Sequence, residues 1–197
     1  MNKNTVIHDY DITRSLRNKV NGHDSFVLWF TGLPGSGKST IANKVEEELF
    51  YKGIHTYALD EDNIRSRTNK ELGFTEDDRR ENLRRIAGIA KLFVDSGVVT
   101  IAAFVSPLMS DRDQVKEIIG KEDLIEIYVN TSLEECKNRD VKGLYKKARA
   151  AEAKNFTGVD AFYEAPENPD LKISTEKNSI EMSVKQIIDY LEETSRI

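Results

Sequence analysis

The stretch Gly32-Leu33-Pro34-Gly35-Ser36-Gly37-Lys38-Ser39 follows an apolar, β-branched and aromatic run at 26–31 and opens a helix-like pattern at 38–50. No other feature of the chain restricts its fold so tightly. It is a full G-x-x-x-x-G-K-[ST] pattern in the strand, loop and helix setting that gives the pattern its meaning. Glycines let the backbone wrap so that N–H groups point at phosphate oxygens, and the helix behind them adds its positive N-terminal end. Lys38 is placed to reach the β- and γ-phosphates, and the Ser39 hydroxyl to ligate Mg²⁺. Binding of a nucleoside triphosphate follows. The reaction does not, because switches, motors and kinases share this loop.

Further strand-like runs occur at 54–59, 98–105, 125–129 and 171–173, separated by helix-like segments at 77–95, 111–119, 133–139 and 180–193. Such alternation implies an α/β fold: a mostly parallel sheet of about five strands, flanked by helices and joined by right-handed crossovers. Ligands of such sheets gather at the carboxyl ends of the strands, and the residues after each strand are therefore the candidates for chemistry. With 197 residues one domain is expected. An N-terminal extension at 1–24 is expected to pack on a single nucleotide-binding domain at 25–197.

Composition removes whole classes of function. With 34 acidic against 29 basic side chains the net charge is -5, which argues against nucleic acid or an anionic membrane as a partner held by bulk charge. Cys136 is the single cysteine, so neither an intrachain disulfide nor a Cys-rich metal cluster is available. His8, His23 and His55 lack ligand-like spacing. The longest apolar run, 98–105, is too short to cross a bilayer, and the first twenty residues carry no signal-like apolar core. A cytoplasmic location is expected.

The second strand-like run ends in Asp60-Glu61-Asp62-Asn63-Ile64-Arg65. A kinase needs a carboxylate here to orient an acceptor hydroxyl and take its proton, and Arg65 suits an anionic group on the acceptor. In the helix that follows, Leu83, Ile86, Ala87, Ala90, Phe93 and Val94 form an apolar stripe, and Arg79 and Asn82 extend it at its N-terminal end, toward the cleft. Glu81 and Arg85 form an ordinary i,i+4 surface pair. Thr75 is a candidate N-cap, yet the position five after Phe74 is Arg79, so no hydrophobic staple holds the ring. A flat ring beside an arginine suits a nucleobase carrying an anion; plain core burial is the alternative. Five basic residues lie between Arg139 and Arg149, which fits a lid closing over phosphates, with a solvated helix face as the alternative. Phe156 in the polar segment beyond either stacks on a base or anchors the loop.

Taken together, these segments resemble the adenylylsulfate kinases, which phosphorylate the 3′-hydroxyl of adenosine 5′-phosphosulfate. The resemblance spans about 8–175 and rests on GLPGSGKST, LDEDNIR, LGFTEDDRRENLRRI, AKLFVDSG, FVSP, DRD, RDVKGLYKKARA, NFTGVD and YEAPENPDL in this order. It implies Mg-ATP as cofactor, ATP contacts from Gly32 through Lys38, Ser39 and Thr40 and from Arg139, and Ser39 as the metal ligand. It implies acceptor contacts from Asp62, Asn63, Arg65, Phe74, Arg79, Asn82, Val105, Ser106, Lys142, Leu144, Phe156 and Thr157, with Phe74 and Phe156 enclosing the adenine. Asp62 is the implied general base, Lys38 the phosphate-binding cation, and Ser106 lies where family descriptions place a phosphoserine. A homodimer serving sulfate assimilation is also implied.

Two departures stand out. The family usually reads D-G-D-N where this chain has Asp60-Glu61-Asp62-Asn63, and S-P-Y-R where it has Ser106-Pro107-Leu108-Met109. Side chains alternate along an extended strand end, so Glu61 is expected to point away from Asp60 and Asp62 and to stay off the phosphates. The rival readings are a kinase for another small anionic acceptor and a catalytically silent nucleotide-binding regulator. A polynucleotide kinase is disfavoured because the basic residues cluster in one segment instead of forming a long stripe.

Overall fold

The computed structural model describes residues 8, 10–150 and 155–197. Of the expected extension at 1–24, residues 1–7 and 9 lie outside the described residues. Among the described residues the chain runs α1 (Arg14–Asn21), β1 (Val27–Thr31), α2 (Lys38–Tyr51), β2 (Thr56–Asp60), α3 (Glu61–Arg67), α4 (Glu76–Asp95), β3 (Val99–Ala103), α5 (Met109–Ile119), β4 (Leu124–Asn130), α6 (Leu133–Arg139), α7 (Leu144–Arg149), β5 (Leu171–Ser174) and α8 (Ile180–Glu193). The strands form one sheet in the order β2-β3-β1-β4-β5, every neighbouring pair parallel.

Alternation along β1 explains the layering. Phe26, Leu28 and Phe30 point into one core with Ile41, Val45 and Leu49 of α2 and Val184, Ile187 and Leu191 of α8. Val27 and Trp29 point into the other, with Leu83, Ile86, Ala90 and Val94 of α4 and Val115 and Ile119 of α5. A strand buried on both faces must be apolar without interruption, and that is how 26–30 reads. β1 pairs with β3 on one side and β4 on the other, so the phosphate-binding loop leaves the sheet at its centre, where strand order reverses and a crevice opens. The expected helices at 133–139 and 180–193 match α6 and α8, and the other three differ by one or two residues at an end.

Three short helices were not expected. Neither α1 nor α3 buries a residue, so core packing defines neither; each starts at a side-chain cap. The Thr13 side chain accepts from Leu16 N, and the Asp60 side chain from Asp62 N. In α7, Gly143 at φ 64 turns the chain and Asp140 accepts from the Tyr145 and Lys146 N–H groups, at 3.0 Å each. α1 leans on the domain through Arg14, whose Nη1 is 2.7 Å from Asp123 Oδ1, and through Asn21 Nδ2, which donates to Gly97 O at 2.9 Å.

A charged residue is buried in the sheet itself: Glu126 of β4 is 3 % exposed. Lys116 Nζ donates to its Oε2 at 2.7 Å, and Arg112 Nε lies 3.0 Å from Oε1. Arg112 and Lys116 are one turn apart on α5 and bracket the carboxylate. Arg112 also donates to Ser106 O and to Glu164 O, at 2.7 Å each, tying the loop after β3 to the segment before β5. Removing one partner of a buried pair strands the other, typically at about 3–5 kcal/mol. Glu126→Ala is therefore expected to lower the melting temperature by about 6–20 °C at the usual 2–4 °C per kcal/mol for a domain of this size; calorimetry showing a shift under about 2 °C would remove this pair from the account of stability.

Candidate active site

The phosphate-binding loop has the backbone its glycines allow. A Cβ at Gly32 would sit 2.6 Å from Val129 O, and Gly37, at φ 102, is the N-cap of α2; both positions require glycine. Lys38 is buried, and its Nζ donates to Gly32 O at 2.8 Å and to Leu33 O at 2.9 Å. Burial lowers its pKa to about 8, against the opposing pull of Glu61, Cys136 and Asp60. Ser36 Oγ is buried without a hydrogen-bond partner. Arg139 reaches the same loop: its Nη1 donates to Thr175 Oγ1 and its Nη2 to Thr175 O, at 3.0 Å each, and Thr175 Oγ1 donates to Ser36 O at 3.1 Å. Ser39 and Thr40, in the first turn of α2, are exposed.

Asp60 joins this loop to the acceptor side. One carboxylate oxygen accepts from Ser39 Oγ at 2.7 Å and the other from Asp62 N at 3.1 Å, capping α3. Sequence reasoning missed this role, although the signal was there in a carboxylate at the last position of a strand. The Ser39 hydroxyl and Asp60 carboxylate together suit a small hard cation that retains waters and phosphate oxygens. Among the described residues no group of three or more His, Cys, Asp or Glu side chains converges as a metal site.

α3 corrects the expectation for Glu61. Strand β2 stops at Asp60, so the period-2 alternation does not extend to Glu61, the first residue of the helix. Its side chain turns inward: Oε2 accepts from Val105 N at 3.1 Å and Oε1 from Arg65 Nε at 3.2 Å. Asp62 and Asn63 are exposed on the same short helix, and Asp62 forms an ion pair with Lys142 from the segment between α6 and α7.

The ring of Phe74 is 54 % exposed, so core burial is not its role here. The Arg65 guanidinium lies 4.6 Å and that of Arg79 5.6 Å from its centroid. Arg79 also donates from Nε to Phe74 O and from Nη2 to Asn155 O, linking the Phe74 turn to the residue before Phe156. Phe156 packs edge-on against Tyr145, centroids 5.0 Å apart, and Tyr145 OH donates to Pro34 O at 2.9 Å. Tyr145 is thus a second missed residue, a clasp between α7 and the phosphate-binding loop. Asn82 and Thr157 are buried, with Asn82 Nδ2 and Thr157 Oγ1 unpartnered. Leu144, which opens α7, is half-buried.

Two expectations need revision. Ser106 is 2 % exposed and sits at φ 38, a region a non-glycine residue enters only when its surroundings hold it there. Its Oγ accepts from Trp29 Nε1 at 3.2 Å and donates to Thr31 Oγ1 at 3.0 Å. A hydroxyl so enclosed lacks the access that a phosphorylated intermediate needs, and the residue instead shapes the loop. The basic segment also divides. Arg139 and Lys142 meet the site, whereas Lys146, Lys147 and Arg149 are exposed and form no ion pair among the described residues. Those three match the solvated-face alternative.

Known proteins resemble this chain closely. The adenylylsulphate kinase family profile matches residues 24–174. The adenylyl-sulfate kinase of Staphylococcus carnosus is 52 % identical over 191 residues, covering 97 % of this chain and 96 % of that protein. The APS kinase CysC of Mycobacterium tuberculosis, solved in complex with AMPPNP and APS, superposes with a TM-score of 0.83 at 43 % identity, over 86 % of this chain and 99 % of that one. A hexameric APS kinase from Thiobacillus denitrificans superposes with a TM-score of 0.68 at 29 % identity, over 89 % of this chain and 30 % of that one.

The buried lysine generates a pH-dependent signal. With its pKa lowered to about 8, Lys38 is partly neutral in the free protein at mildly alkaline pH, and a bound polyphosphate restores its charge. Titration with ATP at pH 8.5 is therefore expected to take up a fraction of a proton, seen as dependence of the apparent heat on buffer ionisation enthalpy. The uptake should vanish near pH 6.5, where the amine is already charged, and in Lys38→Met. Equal buffer dependence in wild type and Lys38→Met at pH 8.5 would contradict this assignment.

Proposed function

The chain belongs to the adenylylsulphate kinase family, and we propose that its cleft carries the γ-phosphate of ATP to the 3′-hydroxyl of adenosine 5′-phosphosulfate, giving 3′-phosphoadenylylsulfate and ADP. One observation supports placing both substrates here. Ser36 Oγ, Arg65 Nη2, Asn82 Nδ2 and Thr157 Oγ1 are buried without partners, and all four belong to residues expected to hold ATP or the acceptor. Buried polar groups normally find partners; these four are the majority of the seven such atoms among the described residues, which supports reading the crevice as a site for ligands rich in oxygen.

The residues divide the work. Lys38 exchanges the Gly32 and Leu33 carbonyls for phosphate oxygens, while the backbone of the loop and the N-terminus of α2 supply further donors. Arg139 covers the nucleotide side. Mg²⁺, held through Ser39 with Asp60 beside it, would neutralise charge on the phosphates. Phe74 and Phe156 enclose the acceptor's adenine; Arg65, Arg79 and Asn82 hold its phosphosulfate, with Asn63, Leu144 and Thr157 around it. Asp62 accepts the proton of the 3′-hydroxyl as it attacks. Lys142 must release Asp62 for this, and the acceptor's anionic group is the natural new partner for its ammonium, so acceptor binding frees the base. Direct in-line transfer needs no phosphorylated Ser106.

We also propose that residues 25–197 act as one kinase domain with 1–24 as an extension packed on it, and that the enzyme works as a cytoplasmic homodimer in sulfate assimilation, on a small-molecule acceptor and on neither nucleic acid nor membrane. Among the described residues no helix is long and apolar enough to cross a membrane.

A coupled assay with Mg²⁺, ATP and a panel of acceptors tests this reading. Adenosine 5′-phosphosulfate should be turned over, and Asp62→Asn should keep ATP affinity while kcat falls by about 10²–10⁴-fold, the usual contribution of a positioned base. Turnover of shikimate, gluconate or a nucleoside monophosphate with none of adenosine 5′-phosphosulfate would refute the acceptor. Near-normal kcat in Asp62→Asn would refute the base.

A further inference from the structure

We propose that the Glu61 carboxylate occupies the seat of the acceptor's anionic group in the free protein, so that the acceptor must displace it and Glu61 sets acceptor affinity. This rests on the reading of the cleft given above. The guanidinium of Arg65 has two usable edges. One is spent on structure: Nη1 donates to Gly73 O at 2.9 Å, and the plane lies 4.6 Å from the Phe74 centroid. The other edge, formed by Nε and Nη2, is the fork that grips an oxyanion with two parallel hydrogen bonds. Glu61 fills half of that fork. Its Oε1 takes Nε at 3.2 Å, while Nη2 is left buried and unpartnered.

The other carboxylate oxygen takes Val105 N at 3.1 Å, an N–H just past the end of β3. Glu61 therefore gathers the donors that a tetrahedral oxyanion would use, without satisfying all of them. A purely structural role fits less well. Arg65, its side chain only 10 % exposed, keeps its contacts to Gly73 and Phe74 without Glu61, and α3 keeps its Asp60 cap. Glu61 remains 20 % exposed at the first position of the helix, where it has room to swing aside. A phosphosulfate arriving beside Arg65 and Arg79 would repel a carboxylate left in place.

The test compares wild type with Glu61→Gln and Glu61→Ala by calorimetric titration of adenosine 5′-phosphosulfate and, separately, of ATP. Glu61→Ala should bind the acceptor about tenfold more tightly, equivalent to about 1.4 kcal/mol. Glu61→Gln, which keeps an oxygen for Val105 N but loses the charge, should show a smaller gain, and ATP affinity should stay within about twofold in both. In steady state the acceptor KM should fall with kcat nearly constant. Wild-type binding with unchanged or weaker acceptor affinity in both variants would overturn the role of Glu61 and leave the site reading standing. Failure of all three proteins to bind the acceptor would overturn both.

Discussion

The carboxylate of Asp60 is the interaction on which the site depends. With one oxygen on Ser39 and the other on the N-terminus of α3, it fixes the helix carrying Asp62 and Arg65 against the helix that opens at Lys38. A kinase must hold donor and acceptor in line to within fractions of an ångström, because positioning and charge supply nearly all of its catalysis. Here that register passes through a single side chain at the carboxyl end of β2. The sheet makes this possible by bringing the ends of β1 and β2 to the same side, with β3 between them.

Around that hinge the free protein holds its charges in provisional pairs. Lys38 donates to carbonyls of its own loop, Lys142 pairs with Asp62, and Glu61 pairs with Arg65 and Val105 N. Each pair keeps a charged group ordered without a ligand, and in each the cation belongs to the class of donor that phosphate or sulfate oxygens also accept from. Behind them lies a rigid frame. Arg112 binds the Ser106 carbonyl and the Glu164 carbonyl, and Tyr145 binds Pro34. Of the paired groups, Glu61 is half-buried and Asp62 and Lys142 are exposed, while Lys38 is buried; Arg112 and Tyr145, which hold the loops, are in the core.

Much of this was legible in the residues. The apolar runs located the strands because a parallel sheet covered on both faces leaves no freedom for polar substitutions, and the glycine-lysine-serine loop fixed the nucleotide side by its own stereochemistry. The spacing of Arg79 and Asn82 ahead of the Leu83 stripe points both toward the cleft, and in the structure Asn82 is buried and the Arg79 guanidinium lies beside the Phe74 ring. What could not be read was decided by contacts between segments distant in sequence. Glu61 was treated as strand because nothing in Asp60-Glu61-Asp62 shows where extended backbone gives way to helix; the Asp60 cap, a three-dimensional fact, decides it. Nothing in the sequence singles out Tyr145 or Arg112, because the loops that they hold come from distant segments. The composition of the 139–149 segment overstated its role, since charge counts do not reveal which side of a helix faces the crevice.

The central claim is that the donor and acceptor sites form one unit coupled at Asp60. Steady-state kinetics of Asp60→Ala, varying ATP and adenosine 5′-phosphosulfate in turn, test it most directly. Losing the cap costs the helix about 0.5–2 kcal/mol, so the protein should remain folded. The account predicts that kcat/KM falls for both substrates by the same order, about tenfold or more. A loss confined to one substrate, or no loss for either in a folded variant, would contradict it.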